Sequence, residues 1–375
     1  MRQPTVASRR AVLQGAAGVA AASALGVGAA ATSAAAAPGA AASGAATVRV
    51  PRTVAHSLAG TGAHAGPVRT RFPIGHVGVS WTGVRRGVAI RLIEEDGTLG
   101  TWTNLRPLCS AGADGTERDT AERSSVLLPA GGAAGYELRL PAGAENVRST
   151  ALDTVGGPAT KVAAAATTTR IGDVEIVTRA GWGADESLRF KDDGTENSPQ
   201  TYYPAQTLTV HHTAGPNDDP DPAATIRAYY YLHAIENDWG DIGYHFLIDE
   251  AGVVYEGRYS GTDGIPAHDA DGDMVTAFHA AGYNSGNIGV ALLGTFVDQA
   301  PTSAARASLT ALLAALADYH GFDPRAEVTF VNPVNGVTKD VHMISGHQDW
   351  LATECPGAVL YTDLPSLRTD VASAL

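Results

Sequence analysis

Gly346-His347-Gln348-Asp349-Trp350-Leu351-Ala352-Thr353-Glu354-Cys355-Pro356-Gly357 sets a histidine eight positions ahead of one of only two cysteines in 375 residues. Far upstream, Thr209-Val210-His211-His212-Thr213-Ala214 closes a strand-like run. Two imidazoles and a thiolate make a three-ligand zinc set that keeps a fourth position for water, the pattern of a catalytic rather than a structural site. Strand geometry chooses between the two adjacent histidines, because successive side chains point to opposite faces. His212 shares its face with Leu208 and Val210, the apolar side, and His211 shares the other with Thr207 and Thr209. His211 is therefore the expected ligand, with His347 and Cys355.

Working outward, five blocks follow one another in a fixed order. They are Val210-His211-His212-Thr213-Ala214, Trp239-Gly240-Asp241-Ile242-Gly243-Tyr244-His245-Phe246-Leu247-Ile248, Tyr255-Glu256-Gly257-Arg258, Asn287-Ile288-Gly289-Val290, and the Gly346–Gly357 segment. Together they resemble the peptidoglycan recognition proteins and type-2 N-acetylmuramoyl-L-alanine amidases, over roughly residues 171–370. The resemblance implies a zinc-dependent amidase that cuts the bond between the lactyl group of N-acetylmuramic acid and L-alanine. It also implies roles for particular residues. Tyr244 would lie beside the zinc-bound water, and Thr353 would hydrogen-bond the reaction intermediate. His233 and His279 would line the substrate groove, and Arg258 would meet a stem-peptide carboxylate. One departure stands out: Ala291 occupies a position where some bacterial relatives carry a glutamate base.

Two other functions compete. A non-catalytic peptidoglycan-binding module is the first, but such members typically lose the cysteine that this chain keeps at Cys355. A zinc peptidase is the second, and no His-Glu-x-x-His supports it.

The N-terminus reads as an export signal. Ser8-Arg9-Arg10-Ala11-Val12-Leu13 precedes an uncharged Ala/Gly/Val run to about Ala37, the form of a cleaved twin-arginine signal peptide over residues 1–37. The mature protein is thus expected outside the cell or on the wall, as a monomer without stable membrane insertion. Losing three arginines with that segment takes the formal net charge from −13 to −16. A chain this acidic is not built to adsorb on nucleic acid or anionic polymer by charge. The second cysteine, Cys109, is expected as an unpaired thiol.

Residues 38–47 are Ala/Gly/Ser/Pro-rich and expected to be disordered. Over 48–155, short apolar runs broken by Asp-Gly and Gly-rich turns predict a small antiparallel β-sandwich, an accessory domain without catalytic residues. Its Trp81 and Trp102 are expected to pack rather than bind sugar. A linker is expected at 156–170. Residues 171–375 interleave strands and helices, predicting an α/β domain with a mixed sheet and flanking helices. Asp221-Pro222 signals a helix start, with Ile226, Tyr229, Tyr230 and His233 on one face. A second helix is expected over Thr302–His320, stopped by Gly321, and a closing helix over Leu364–Leu375.

Overall fold

The computed structural model describes residues 47–107, 124–163 and 165–375. Residues 1–37, read as a signal peptide, most of the segment expected to be disordered, and Cys109 lie outside the described residues. Among the described residues no helix is long and apolar enough to cross a membrane.

The N-terminal strands are β1 (Thr47–Pro51), β2 (Val54–Ala59), β3 (Val68–Thr82), β4 (Ala89–Ile93), β5 (Thr103–Asn104), β6 (Ser124–Arg139), β7 (Glu145–Asp153) and β8 (Ala159–Ala163). Six of them form one antiparallel sheet in the order β2-β7-β3-β6-β4-β5. The region is all-β, as expected of a small antiparallel sandwich-like domain, and most of its strands belong to one continuous sheet. The reason is the length of β3 and β6, whose pairing shifts register between Arg69 and His76. Such bulges bend a strand and increase its twist, so one continuous sheet curls around a core that includes Val77, Val79, Trp81, Ile90 and Tyr136. Trp81 is fully buried and its Nε1 donates to the Val84 carbonyl. Trp102 is covered by the guanidinium groups of Arg91 and Arg139, 4.7 and 4.1 Å from its ring centre.

The expected linker is not bare chain. β8 pairs with β1, and β9 (Thr168–Ile171) pairs with β10 (Val174–Val177), which follows it. After β10 come α1 (Arg179–Trp182), β11 (Tyr202–Tyr203), β12 (Thr207–His212), α2 (Pro222–Tyr231), β13 (Phe246–Ile248), β14 (Val254–Glu256), β15 (Met274–Val275), β16 (Asn287–Leu292), α3 (Ser303–His320), β17 (Glu327–Val331), β18 (Thr338–His342), β19 (Ile344–Gly346) and α4 (Ala358–Ala374). The central sheet runs β19-β12-β16-β13-β14-β10-β9, with β19, β12, β16 and β13 parallel and the β13–β14 hairpin antiparallel.

The helix signals act as read. The Asp221 side chain accepts from Ala224 N ahead of Pro222, and Thr302 accepts from Ala305 N. Gly321 closes α3 at φ 69°, a left-handed position that suits glycine. The closing helix starts earlier than expected, directly after Gly357.

One face of the central sheet is covered by α3 and α4, whose Leu309, Leu313, Leu360 and Leu364 pack on Leu208, Val210 and Ile288. The other face carries α1 and α2, and it does not stop there. Leu127 and Leu152 of the N-terminal sheet join Trp182, Ile226, Tyr230, Leu247 and Ala291 in a single cluster. Both leucines are at most 2% exposed, and full burial of such a side chain contributes about 1.5–3 kcal/mol. Polar contacts follow the same seam: His76 Nε2 lies 2.9 Å from Thr225 Oγ1, and Arg227 Nε donates to the Thr154 carbonyl. Gly78 permits the approach, since a Cβ there would meet Leu232 Cδ2 at 2.5 Å. The N-terminal sheet is therefore packed on α2, on the side of the central sheet to which His211 points.

Candidate metal centre and active site

His211 ends β12 at the carboxyl edge of the parallel strands, where side chains of open α/β sheets meet ligands. It faces away from Leu208 and Val210, as strand parity requires. Its register partner across the sheet is Ala291, so a methyl group stands beside it. His347 follows β19 directly. Gly346 must be glycine to pass under α4, because a Cβ would sit 2.9 Å from Tyr361 and 3.0 Å from Pro356.

The 347–355 loop is closed on itself. Gln348 N donates to the Cys355 carbonyl at 2.9 Å, and Asp349 Oδ2 accepts from Gly346 N. Beneath it, the buried Trp350 indole donates to Thr209 Oγ1 and Ser345 Oγ. The loop is thus anchored on the same two strands that supply the histidines.

These elements bring His211, His347 and Cys355 together, all buried, with donor atoms within 4.8 Å of one another. Cys355 Sγ lies 3.6 Å from His211 Nδ1. Zn–N near 2.1 Å and Zn–S near 2.3 Å at a tetrahedral angle call for about 3.6 Å. Both ring nitrogens of His347 are buried without a hydrogen-bond partner, an expensive condition unless something else binds them. The sulfur receives the His212 backbone N–H at 3.3 Å, which favours the thiolate. The donor set fits zinc.

Behind His211 a relay fixes its tautomer. His279 Nε2 is 2.8 Å from the Asn287 carbonyl, which can only accept, so the proton sits on that nitrogen. His279 Nδ1 then accepts from His211 Nε2 at 2.9 Å, leaving the His211 Nδ1 lone pair aimed at the cluster. Burial, with His347 and His279 alongside, holds the His211 pKa well below its ordinary value, so the ring is neutral. His279 is fully buried. It is not in the groove where it was expected, but orients the ligand from behind. Gly289 makes the space, since a Cβ there would touch the His279 ring at 2.5 Å. No motif signalled this role, which depends on three strands meeting.

Arg258 also departs from expectation. It is 2% exposed, its Nη2 donates to Ser198 Oγ, and its guanidinium lies over Phe278 at 4.4 Å. Reaching a stem-peptide carboxylate from there would require moving the shell around it. His233 sits at the site's edge, its ring 5.8 Å from Tyr244 and 4.8 Å from Trp239. Its Nδ1 accepts from Gly243 N, and burial beside the Arg258 charge lowers its pKa to about 3. Tyr244 is nearly buried, with its ring 5.4 Å from that of His211. Thr353 is half-buried, and its Oγ1 accepts from Cys355 N at 3.2 Å.

Above the site, a cavity of about 860 Å³ is lined by Thr353, Glu354, Cys355, His212, Ala214 and Thr295 on one side. Its other side is not from the central domain at all: Arg85, Arg86, Asn104 and Arg106 of the N-terminal sheet complete it.

Comparison with known proteins identifies the family. The family model described as N-acetylmuramoyl-L-alanine amidase matches residues 201–358. Peptidoglycan-recognition protein SC2 of Drosophila melanogaster is 30% identical over 194 residues, which cover 51% of this chain and 85% of that protein. Peptidoglycan recognition protein 1 of Bos taurus is 30% identical over 188 residues, covering 50% and 80%. The N-acetylmuramoyl-L-alanine amidase of Homo sapiens is 32% identical over 162 residues, 42% of this chain but only 23% of that protein. Among solved structures, wild-type Drosophila PGRP-LB is similar at a TM-score of 0.38 and 24% identity, over 51% of this chain and 92% of that one.

Proposed function

Because the chain belongs to the peptidoglycan recognition protein and type-2 amidase family, we propose that it is a zinc-dependent N-acetylmuramoyl-L-alanine amidase of the bacterial wall. The observation that carries this reading is the buried His211–His347–Cys355 set, with two partnerless nitrogens on His347 and a fixed lone pair on His211. Zinc bound there supplies Lewis acidity toward a carbonyl oxygen and acidifies water.

The chain's own residues do the rest. Cys355, His211 and His347 hold the ion, and His279 keeps His211 in the tautomer that can bind it. Thr353 Oγ1 is occupied as an acceptor by Cys355 N, so its own O–H is left to donate toward the substrate. Tyr244, beside His211, provides the second donor for the oxygen on which negative charge develops. With Ala291 beside His211 in register, the strand supplies no carboxylate base. Of the two hydroxyls, the Tyr244 phenol is the more acidic and the one able to pass on a proton, whereas the Thr353 hydroxyl only hydrogen-bonds. His233 stays neutral at the groove's edge and offers a polar contact rather than a cation. The reading also keeps the mature protein outside the cell or on the wall, in keeping with the twin-arginine signal read at residues 1–37.

Digestion of purified peptidoglycan followed by mass spectrometry tests the reaction. Free L-alanine amino termini on intact glycan strands are expected. New reducing sugar ends would mean a glycosidase, and wall binding without peptide release would mean a recognition module.

A further inference from the structure

We infer that the N-terminal sheet supplies the far wall of the substrate cleft, and that Arg85, Arg86 and Arg106 bind a carboxylate of the stem peptide. This rests on the amidase reading and adds to it a subsite that lies outside residues 201–358. Three features of the cleft point the same way. The first is continuity: the cavity of about 860 Å³ that reaches Cys355 and Thr353 is closed on its other side by these arginines. The second is charge. Among the described residues the lining holds three guanidinium groups against one carboxylate, Glu354, with Asp298 beside Arg106 at its rim, in a chain whose net charge is −13. An anionic ligand is repelled by most of such a surface, so a local basic wall beside the reaction site is where it can approach. The third is anchoring, since the sheet that bears the arginines shares a buried cluster with the central domain through Leu127 and Leu152. The wall is held in place and not tethered loosely.

Arginine suits the task because its planar fork pairs with a carboxylate through two parallel hydrogen bonds. Arg106 Nη1 already lies 4.0 Å from the exposed Asp298 carboxylate, an open pair that a ligand could displace. Stem peptides of the wall carry free carboxylates, and the amide to be cut lies at the head of that stem. A cation wall across from the ligand set would orient the stem while its head reaches Tyr244 and Thr353. The consequence reverses the expectation of a passive accessory domain: residues 48–155 take part in binding even small soluble fragments.

The test replaces all three residues with Arg85→Ala, Arg86→Ala and Arg106→Ala, exposed positions where folding is not at stake. The probes are a soluble muropeptide with free carboxylates and the same muropeptide with those groups amidated. KM should rise about three- to tenfold on the free acid, with kcat unchanged, as expected for several rim charge contacts. The amidated fragment should bind the wild-type and the triple variant alike, and added salt should shrink the difference. Unchanged KM on the free acid overturns the proposal, as does equal loss on both fragments. If the wild-type binds without turnover, the amidase reading fails, and the arginines are judged by calorimetric Kd on the same two fragments. A wild-type protein that neither binds nor cleaves them overturns both readings. Weaker retention only on walls that carry anionic polymer, with fragment binding intact, also overturns it and assigns the arginines to that polymer.

Discussion

Across the cleft, the two walls are made in different ways. The wall on the central sheet is backed by a buried cluster: behind Cys355, which lines the cavity, His211, His279 and His347 are fully covered. Its side chains are fixed by one another, through the Asn287–His279–His211 relay and the Trp350 anchor. The wall on the N-terminal sheet is exposed and charged, with Arg106 retaining 77% of its side-chain surface. Buried neutral groups cannot adjust to a wrong neighbour, so each one matters greatly; solvated charges are screened and share their work. Substitutions should therefore have steep effects on the first wall and shallow ones on the second.

The steepest loss is expected for Cys355→Ala. Removing the thiolate leaves two imidazoles, and elemental analysis should show the metal falling far below one per chain while hydrolysis drops to background. Stoichiometric zinc persisting in that variant would remove the cysteine from the ligand set. Next comes Tyr244→Phe, which should keep the metal and its KM but lose about 10²–10³ in kcat, the usual cost of one oxyanion donor. Retention of more than half the rate would show that the phenol only packs against His211.

His279→Ala should cost about 10–100-fold in metal affinity, measured by competition with a chelator, without removing any ligand. Gly289→Ala should mimic it, because the added methyl would push on the same ring. Wild-type affinity in both variants would show that the His211 tautomer needs no relay.

How much of this was readable beforehand follows the same division. Metal chemistry restricts residue type and strand parity chose His211 over His212, while His347, Cys355, Tyr244 and Thr353 were read with the help of the family resemblance of the blocks around them. The strands and helices of residues 171–375 were legible for the same reason their caps and apolar periods are local. The roles of His279 and Arg258 were not, since both are decided by which strands and loops close over them. Nor was the curled sheet, because a bulge between Arg69 and His76 leaves no mark on hydrophobic alternation. The arginines were illegible as a site, as Arg85-Arg86 and Arg106 are twenty positions apart and meet only through tertiary packing.

The smallest expected effect separates the walls by pH rather than by mutation. Arginine stays charged throughout the accessible range, so acid does not touch the N-terminal wall directly. The central wall differs, because His233 has its pKa pushed down to about 3 in the fold, beside an ordinary value of 6.5 when unfolded. Between those values the unfolded chain holds the proton and the folded chain does not, so stability is fully present above about 6.5 and declines as pH falls toward 3. From pH 7 to 5 one such histidine accounts for at most about 2 kcal/mol, less where the ring keeps some contact with water. Urea unfolding of the wild-type and His233→Gln at both pH values measures the difference. The variant should start less stable at pH 7 but lose less on acidification. Parallel losses in the two proteins would show that His233 is already solvated, and would move it from the buried wall to the open groove.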